Sequence, residues 1–241
     1  MTFITHAQET EIVNPSRHIG GGVTVTNNGI SLLPTFTLGK PAAIFDLSVG
    51  GEKLSFDPQF RFALDGKPWV FILWWRYKLL NNEKFRVHVG AHPAIMFRTI
   101  PVTTDGETTD VLEALRYVAG EFAPNYMLTK NISIGMYYLY GHGFQDNAVQ
   151  NSHFLTLNSN FSNIRLSEKF YMKFYPQVYY LWMDKEDGFY ITASLTLARR
   201  DFPLAIQTIV NQPFTTIIAG GDDFVWNVSL IYSFNKEYMG K

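Results

Sequence analysis

The chain has 241 residues, with 20 Lys and Arg against 21 Asp and Glu, a formal net charge of −1, and no cysteine. Charged residues make up 17%, against roughly 25% in an ordinary soluble domain, while aromatics reach 16%. The balanced charge argues against a nucleic-acid partner, which would call for a basic face, and the absence of cysteine excludes disulfide frameworks, thiolate metal sites and cysteine nucleophiles.

Met1 to Ala7 reads as the end of a signal peptide, with Thr5 and Ala7 at the −3 and −1 positions of a cleavage site. Residues 8–29 then form an N-terminal periplasmic segment or a short hairpin. Its alternation is weak, at Gly21–Thr26, and is followed by Asn27-Asn28-Gly29. No run of about 18 apolar residues follows, so no membrane-spanning helix is expected. The longest apolar run, Trp69–Trp75, is flanked by Lys67 and Arg76. One helical turn is expected, at Thr109–Arg116, around Val111, Leu112 and Leu115.

Everything else alternates. Leu54, Phe56, Pro58, Phe60 and Phe62 interleave with Ser55, Asp57, Gln59 and Arg61. Phe85, Val87, Val89, Ala91, Pro93, Ile95 and Phe97 interleave with Arg86, His88, Gly90, His92, Ala94 and Met96. Phe170–Trp182 and Phe189–Leu197 repeat the pattern. Such runs exceed the five or six residues of a usual strand and match the 9–11 that a tilted strand needs to cross a bilayer. The same rule gives twelve strands, with ten or fourteen as alternatives, starting near Ile30, Ala42, Leu54, Trp69, Lys84, Ala114, Asn131, His153, Lys169, Phe189, Ala205 and Phe224. The longest connections, Thr99–Glu113 and His142–Ser152, then fall on one side.

The expected fold is all-β: a closed antiparallel transmembrane barrel over 30–234, with a tail at 235–241. A soluble sandwich or lipocalin-like barrel is the competing architecture. Two features oppose it. The polar faces are rich in Tyr, Ser, Thr, Gln and Gly rather than Lys and Glu. The apolar faces often begin or end in Trp or Tyr (Trp69, Trp75, Tyr77, Tyr138, Tyr140, Trp182), as headgroup-level girdles do.

Phe224, Trp226, Val228, Leu230, Tyr232 and Phe234 alternate along the last strand. This strand resembles the C-terminal targeting strand of bacterial outer-membrane β-barrel proteins, except that seven residues, Asn235–Lys241, follow the final Phe. The resemblance implies a Gram-negative outer membrane, with barrel assembly machinery, membrane lipid and lipopolysaccharide as partners. It implies no substrate and no cofactor.

Charges gather on the inferred interior rows: Asp46, Asp57 and Glu121 against Arg61, Arg76, Arg86, Arg98 and Lys173, with His88 and His92 beside them. Arg61, Arg76 and Arg86 are expected to form a basic ladder that either attracts anions or is neutralised in a salt-bridged plug. His88 and His92 lie about 13 Å apart on a strand, too far to share a metal. Gly20-Gly21-Gly22 precedes no helix that would hold a phosphate, and Asp184–Gly188 reads as a polar turn rather than a calcium loop. Three functional readings follow: a narrow porin-like channel for small polar or anionic solutes, a non-conducting accessory barrel of a larger outer-membrane assembly or secretion complex, and, least supported, a lipid hydrolase centred on His153. No enzyme activity is expected.

Overall fold

The alternating runs fold into twelve antiparallel strands: β1 (Ser16–Thr26), β2 (Ala42–Gly50), β3 (Leu54–Ala63), β4 (Pro68–Asn81), β5 (Phe85–Thr104), β6 (Glu107–Thr129), β7 (Ile132–Gly143), β8 (Asn151–Arg165), β9 (Phe170–Met183), β10 (Glu186–Arg199), β11 (Leu204–Thr216) and β12 (Val225–Met239). The computed structural model describes residues 16–239 apart from residue 222. Each strand pairs with the next, and β1 closes on β12 from Ser16↔Met239 to Thr26↔Ser229. Closure satisfies every strand laterally, which a bilayer demands because hydrocarbon offers no hydrogen bonds to a free edge.

Alternation decides which side chains face out. Phe45, Leu47 and Val49 on β2, and Trp226, Val228 and Leu230 on β12, are exposed on the outer wall. A continuous apolar band of this kind is unstable in water and solvated by lipid. One rim carries short turns (51–53, 82–84, 130–131, 166–169, 200–203) together with the ends of β1 and β12. The opposite rim carries the longer connections 27–41, 144–150 and 217–224. Short turns mark the periplasmic side of such barrels, so the second rim is the outer one.

The strand number is twelve, but four boundaries differ from expectation. The barrel begins at Ser16 rather than Ile30, so 16–26 is a barrel strand. Residues 27–41 contain no strand, only a short 3-10 turn at Pro34–Phe36. The segment 235–239 continues β12 and pairs with β1 through Gly20↔Asn235. Residues 1–15 lie outside the described residues, as do 240–241.

The fourth difference is Thr99–Glu113, which holds neither a long loop nor a helical turn. The β5–β6 ladder runs on to Thr104↔Glu107, whereas β4 leaves β5 after Val70↔Met96 and β7 joins β6 only at Tyr117↔Gly143. A two-stranded ribbon therefore stands above the outer rim. Its tip is Asp105-Gly106, with φ of 53° and 84°; both signs are those of the primed hairpin turns that Asp-Gly favours.

Candidate functional site

The lumen has two unlike halves. Its outer half is apolar and filled. Connection 27–41 folds inward, so that Phe36 and Leu38 pack against a wall made of Trp69, Val70, Met96, Leu115 and Tyr117. Leu32, Leu33 and again Phe36 pack against a second wall of Phe154, Tyr179, Leu181, Met183 and Tyr190. Phe36 thus bridges both, its ring edge-on to Tyr117 at 5.1 Å. Two hydrogen bonds fix the backbone: Trp69 Nε1 donates to the Phe36 carbonyl at 2.8 Å, and the Tyr179 hydroxyl donates to the Leu32 carbonyl at 3.2 Å. The two other long connections add Ala148 and Ile218 to the same clusters.

Trp69 is a correction to the sequence reading, which placed it in an outward aromatic girdle. The β3–β4 register shifts between Arg61 and Phe62, and an irregularity of this kind re-aims side chains. Trp69 is buried beside Val70 in the apolar interior, whereas Trp75, Tyr77, Tyr140 and Trp182 are exposed on the wall.

The periplasmic half is polar. Its centre is Arg76, whose Nε donates to Glu121 Oε1 at 2.7 Å and whose Nη1 donates to Asp57 Oδ2 at 3.2 Å. The guanidinium also lies over the Trp74 ring at 4.3 Å. Glu121 Oε2 accepts from the Tyr137 hydroxyl at 2.8 Å, and His88 Nε2 is 3.5 Å from Oε1. Asp57 accepts from the Ser48 hydroxyl at 2.6 Å and from Ser55 at 2.9 Å, while Ser48 Oγ lies 2.9 Å from His18 Nε2. The resulting belt joins seven consecutive strands, β1 to β7.

Register explains how β4 reaches β6 across β5. Gly90 stands opposite Arg76 on one side and opposite Glu121 on the other. A Cβ at Gly90 would sit 2.7 Å from Glu121 Oε1. The missing side chain lets the carboxylate lie flat over β5 and meet the guanidinium.

The other inner-row charges are dispersed. Arg61 Nε donates to Gln59 Oε1 at 2.7 Å, and Gln59 in turn bonds Asp46. Arg98 Nε donates to Glu113 Oε2 at 2.7 Å at the outer rim. His92 packs edge-on against Trp74, and its Nδ1 has no partner among the described residues. Arg86 and Lys173 share the inner row by alternation, and among the described residues neither has an ion pair. The expected ladder is therefore not one unit: Arg76 holds both Asp57 and Glu121, Arg61 belongs with Gln59 and Asp46, and Arg86 stands apart. A cavity of about 330 Å³ opens beside Arg76, lined by Asp46, Ser48, Asp57, Gln59 and Trp74.

No metal cluster of His, Asp or Glu occurs among the described residues. His153 lies on the lipid-facing row with Tyr138, Tyr140 and Trp182 around it. Its hydrogen-bond contact is with the Tyr138 hydroxyl rather than with a serine.

No family model matches the chain, and no curated protein does either. Solved structures do match. The KdgM porin, in complex with disordered oligogalacturonate, aligns at a TM-score of 0.55 with 10% identity, covering 90% of this chain and 99% of that one. LpxR from Salmonella typhimurium aligns at 0.52 with 11% identity, covering 89% and 100%. An outer-membrane channel from Pseudomonas putida F1 aligns at 0.51 with 10% identity, covering 96% and 100%. At such identities the likeness speaks for architecture alone. The chain folds as a closed, twelve-stranded antiparallel β-barrel with the architecture of outer-membrane barrels.

Proposed function

We propose that this barrel is a narrow porin-like channel for small polar or anionic solutes in a Gram-negative outer membrane, held shut by connection 27–41. The observation that carries the reading is the insertion of Phe36 between two apolar walls, above a polar chamber that faces the periplasm. An eight-stranded barrel is filled by its own side chains; twelve strands leave room that an inserted segment has to occupy. With the segment displaced and the Arg98–Glu113 pair at the rim cancelling, Arg61, Arg76, Arg86 and Lys173 still outnumber Asp46, Asp57 and Glu121 by one along the inner rows, which favours anions.

The neck of the segment is closed by Gly29 N–H donating to the Lys40 carbonyl at 2.9 Å. Deleting residues 30–39 therefore removes the plug and leaves the wall intact. In planar bilayers the unaltered protein should conduct little, and the deletion variant should open steadily with anion preference. Equal conductance of the two proteins would refute gating by this segment.

The outer row of β12, from Trp226 to Phe234, with Phe224 just ahead of the strand, serves in this reading as the signal to the barrel assembly machinery. An accessory role in a larger complex draws on one observation, the β5–β6 ribbon, which projects above the rim with Val111 and Leu112 exposed. Co-purification lost on trimming the ribbon tip would favour that role. Hydrolase activity gains nothing from His153, which has no bonded serine among the described residues.

A further inference from the structure

We propose that the periplasmic mouth of the lumen captures extended multivalent anions, polyphosphates or polycarboxylates, between two pairs of cations that have no carboxylate partner. On β4 and β5 the pair is Lys78 and Arg86. Lys78 stands opposite His88, which faces the lumen beside Glu121, and Arg86 lies two residues from His88 toward the rim. On β8 and β9 the pair is Arg165 and Lys173. Arg165 stands opposite Tyr171, and Lys173 is the next residue along the same row. Tyr171 and Lys173 face inward, since they stand opposite Ala198 and Thr196, both buried. The members of each pair are thus diagonal neighbours, about 7–8 Å apart. A further cation, Arg200, lies over the Tyr171 ring with its Cζ 5.3 Å from the centroid.

Nothing in the protein neutralises these groups. All are exposed, and none makes an ion pair among the described residues. Glu52 and Glu237 border a rim cavity of about 260 Å³ together with Lys78 and His18, yet neither comes within ion-pair distance of a cation. Deeper in the chamber the charges are matched, because Arg76 holds both Asp57 and Glu121. Like charges set side by side on a strand pair are destabilising, and a bound anion removes that cost.

The outer end has the opposite character. Lys40 and Arg98 are held there by Asp65 and Glu113, whereas Asp105, Glu107 and Asp110 on the ribbon make no ion pair among the described residues. An anion is therefore repelled at the outer rim and attracted at the periplasmic mouth. The fold also sets the size of the ligand. Strands about 4.8 Å apart and tilted by about 40° give a twelve-strand barrel a diameter of roughly 24 Å. β5 and β9 stand a third of the circumference apart, so one phosphate reaches one pair and an extended anion reaches both. The inward placement screens the cations from lipid headgroups, which favours a soluble ligand. Capture at the mouth needs no open pore, so it goes beyond the channel reading and fails separately from it.

The test titrates the unaltered barrel, in detergent at low salt, with tripolyphosphate or orthophosphate by isothermal titration calorimetry. Tripolyphosphate should bind roughly tenfold more tightly or better, because its second contact is intramolecular, and its affinity should fall as salt is added. Arg86→Gln and Lys173→Gln, both at exposed positions, should each weaken it about fivefold. Lys67→Gln at the outer rim should change nothing. Heat-modifiable gel migration reports that each variant is folded. Equal affinity for the two phosphates, parental binding in Arg86→Gln and Lys173→Gln, or an equal loss in Lys67→Gln would overturn the proposal. Displacement of tripolyphosphate by phosphatidylglycerol in the micelle would assign the cations to the membrane and overturn it too. None of these outcomes depends on conductance.

Discussion

Replacing Arg76 with leucine tests the polar belt at its centre. The Glu121 side chain is fully buried at 0% exposure, Asp57 is at 16% and Arg76 at 33%. Asp57 keeps its Ser48 and Ser55 donors in the variant, so most of the cost falls on Glu121. Glu121 would retain the Tyr137 hydroxyl and a His88 nitrogen at 3.5 Å. Breaking a buried pair from one side costs about 3–5 kcal/mol. The partial exposure of Arg76 reduces this to roughly 2–3 kcal/mol. Urea or guanidinium unfolding in micelles reads the change as a shifted midpoint at constant slope. Adding Glu121→Leu should recover most of the loss, because the stranded carboxylate is then gone. A single variant within about 0.5 kcal/mol of the parent, the range of ordinary surface substitutions, would refute the assignment of Arg76 as the centre of the belt.

Other outcomes follow from the same geometry. Gly90→Ala places a methyl group against the Glu121 carboxylate and should destabilise the barrel by about 1–3 kcal/mol, with the effect largely absent in a Glu121→Ala background. Added protease should cut intact cells at the Asp105-Gly106 tip and within 144–150 but spare 82–84; the reverse pattern would invert the barrel in the membrane. At the outer rim, the Lys40 ammonium bonds Asp65 at 2.7 Å, and this bond, then the Lys67 backbone amide, holds the Asp65 carboxyl below the usual aspartate range. A lowered native pKa means that the contact is intact above the ordinary aspartate value and lost as pH falls through the lowered one. The Asp65 carboxyl carbon should therefore titrate low by NMR and return toward the ordinary value in Lys40→Met.

Much of the architecture is legible as period-two patterning. The rows of β3, β5, β9 and β10 in the structure are those read from the residues, because a one-residue slip would turn every apolar side chain away from lipid. Two departures have physical causes. Ser16–Thr26 reads poorly as a strand because Gly20-Gly21-Gly22 carries no side chains to alternate. Residues 30–38 read well as a strand, with Ile30, Leu32, Pro34, Phe36 and Leu38 in step, yet they are apolar because they fill the lumen. Pro34, which lacks an amide donor, was the available sign that this segment does not belong in a ladder. The convergence of Arg76 and Glu121 over Gly90 depends on register across three strands, and no single strand carries that information. A glycine between His88 and His92 on a polar row is the only local trace of it.

The central claim is that 27–41 is part of the packed lumen and not a surface loop. Hydrogen exchange of the unaltered barrel in a lipid bilayer tests it without any substitution. The amides of Gly29, Ser31, Leu33, Phe36, Thr37 and Leu38 each donate to a partner within this segment, and water is excluded by the two apolar walls around Phe36. These amides should exchange as slowly as neighbouring strand amides and far more slowly than the exposed residues of 144–150. Exchange of 29–38 on the timescale of an open loop would contradict the account, because the lumen would then stand open to the outside.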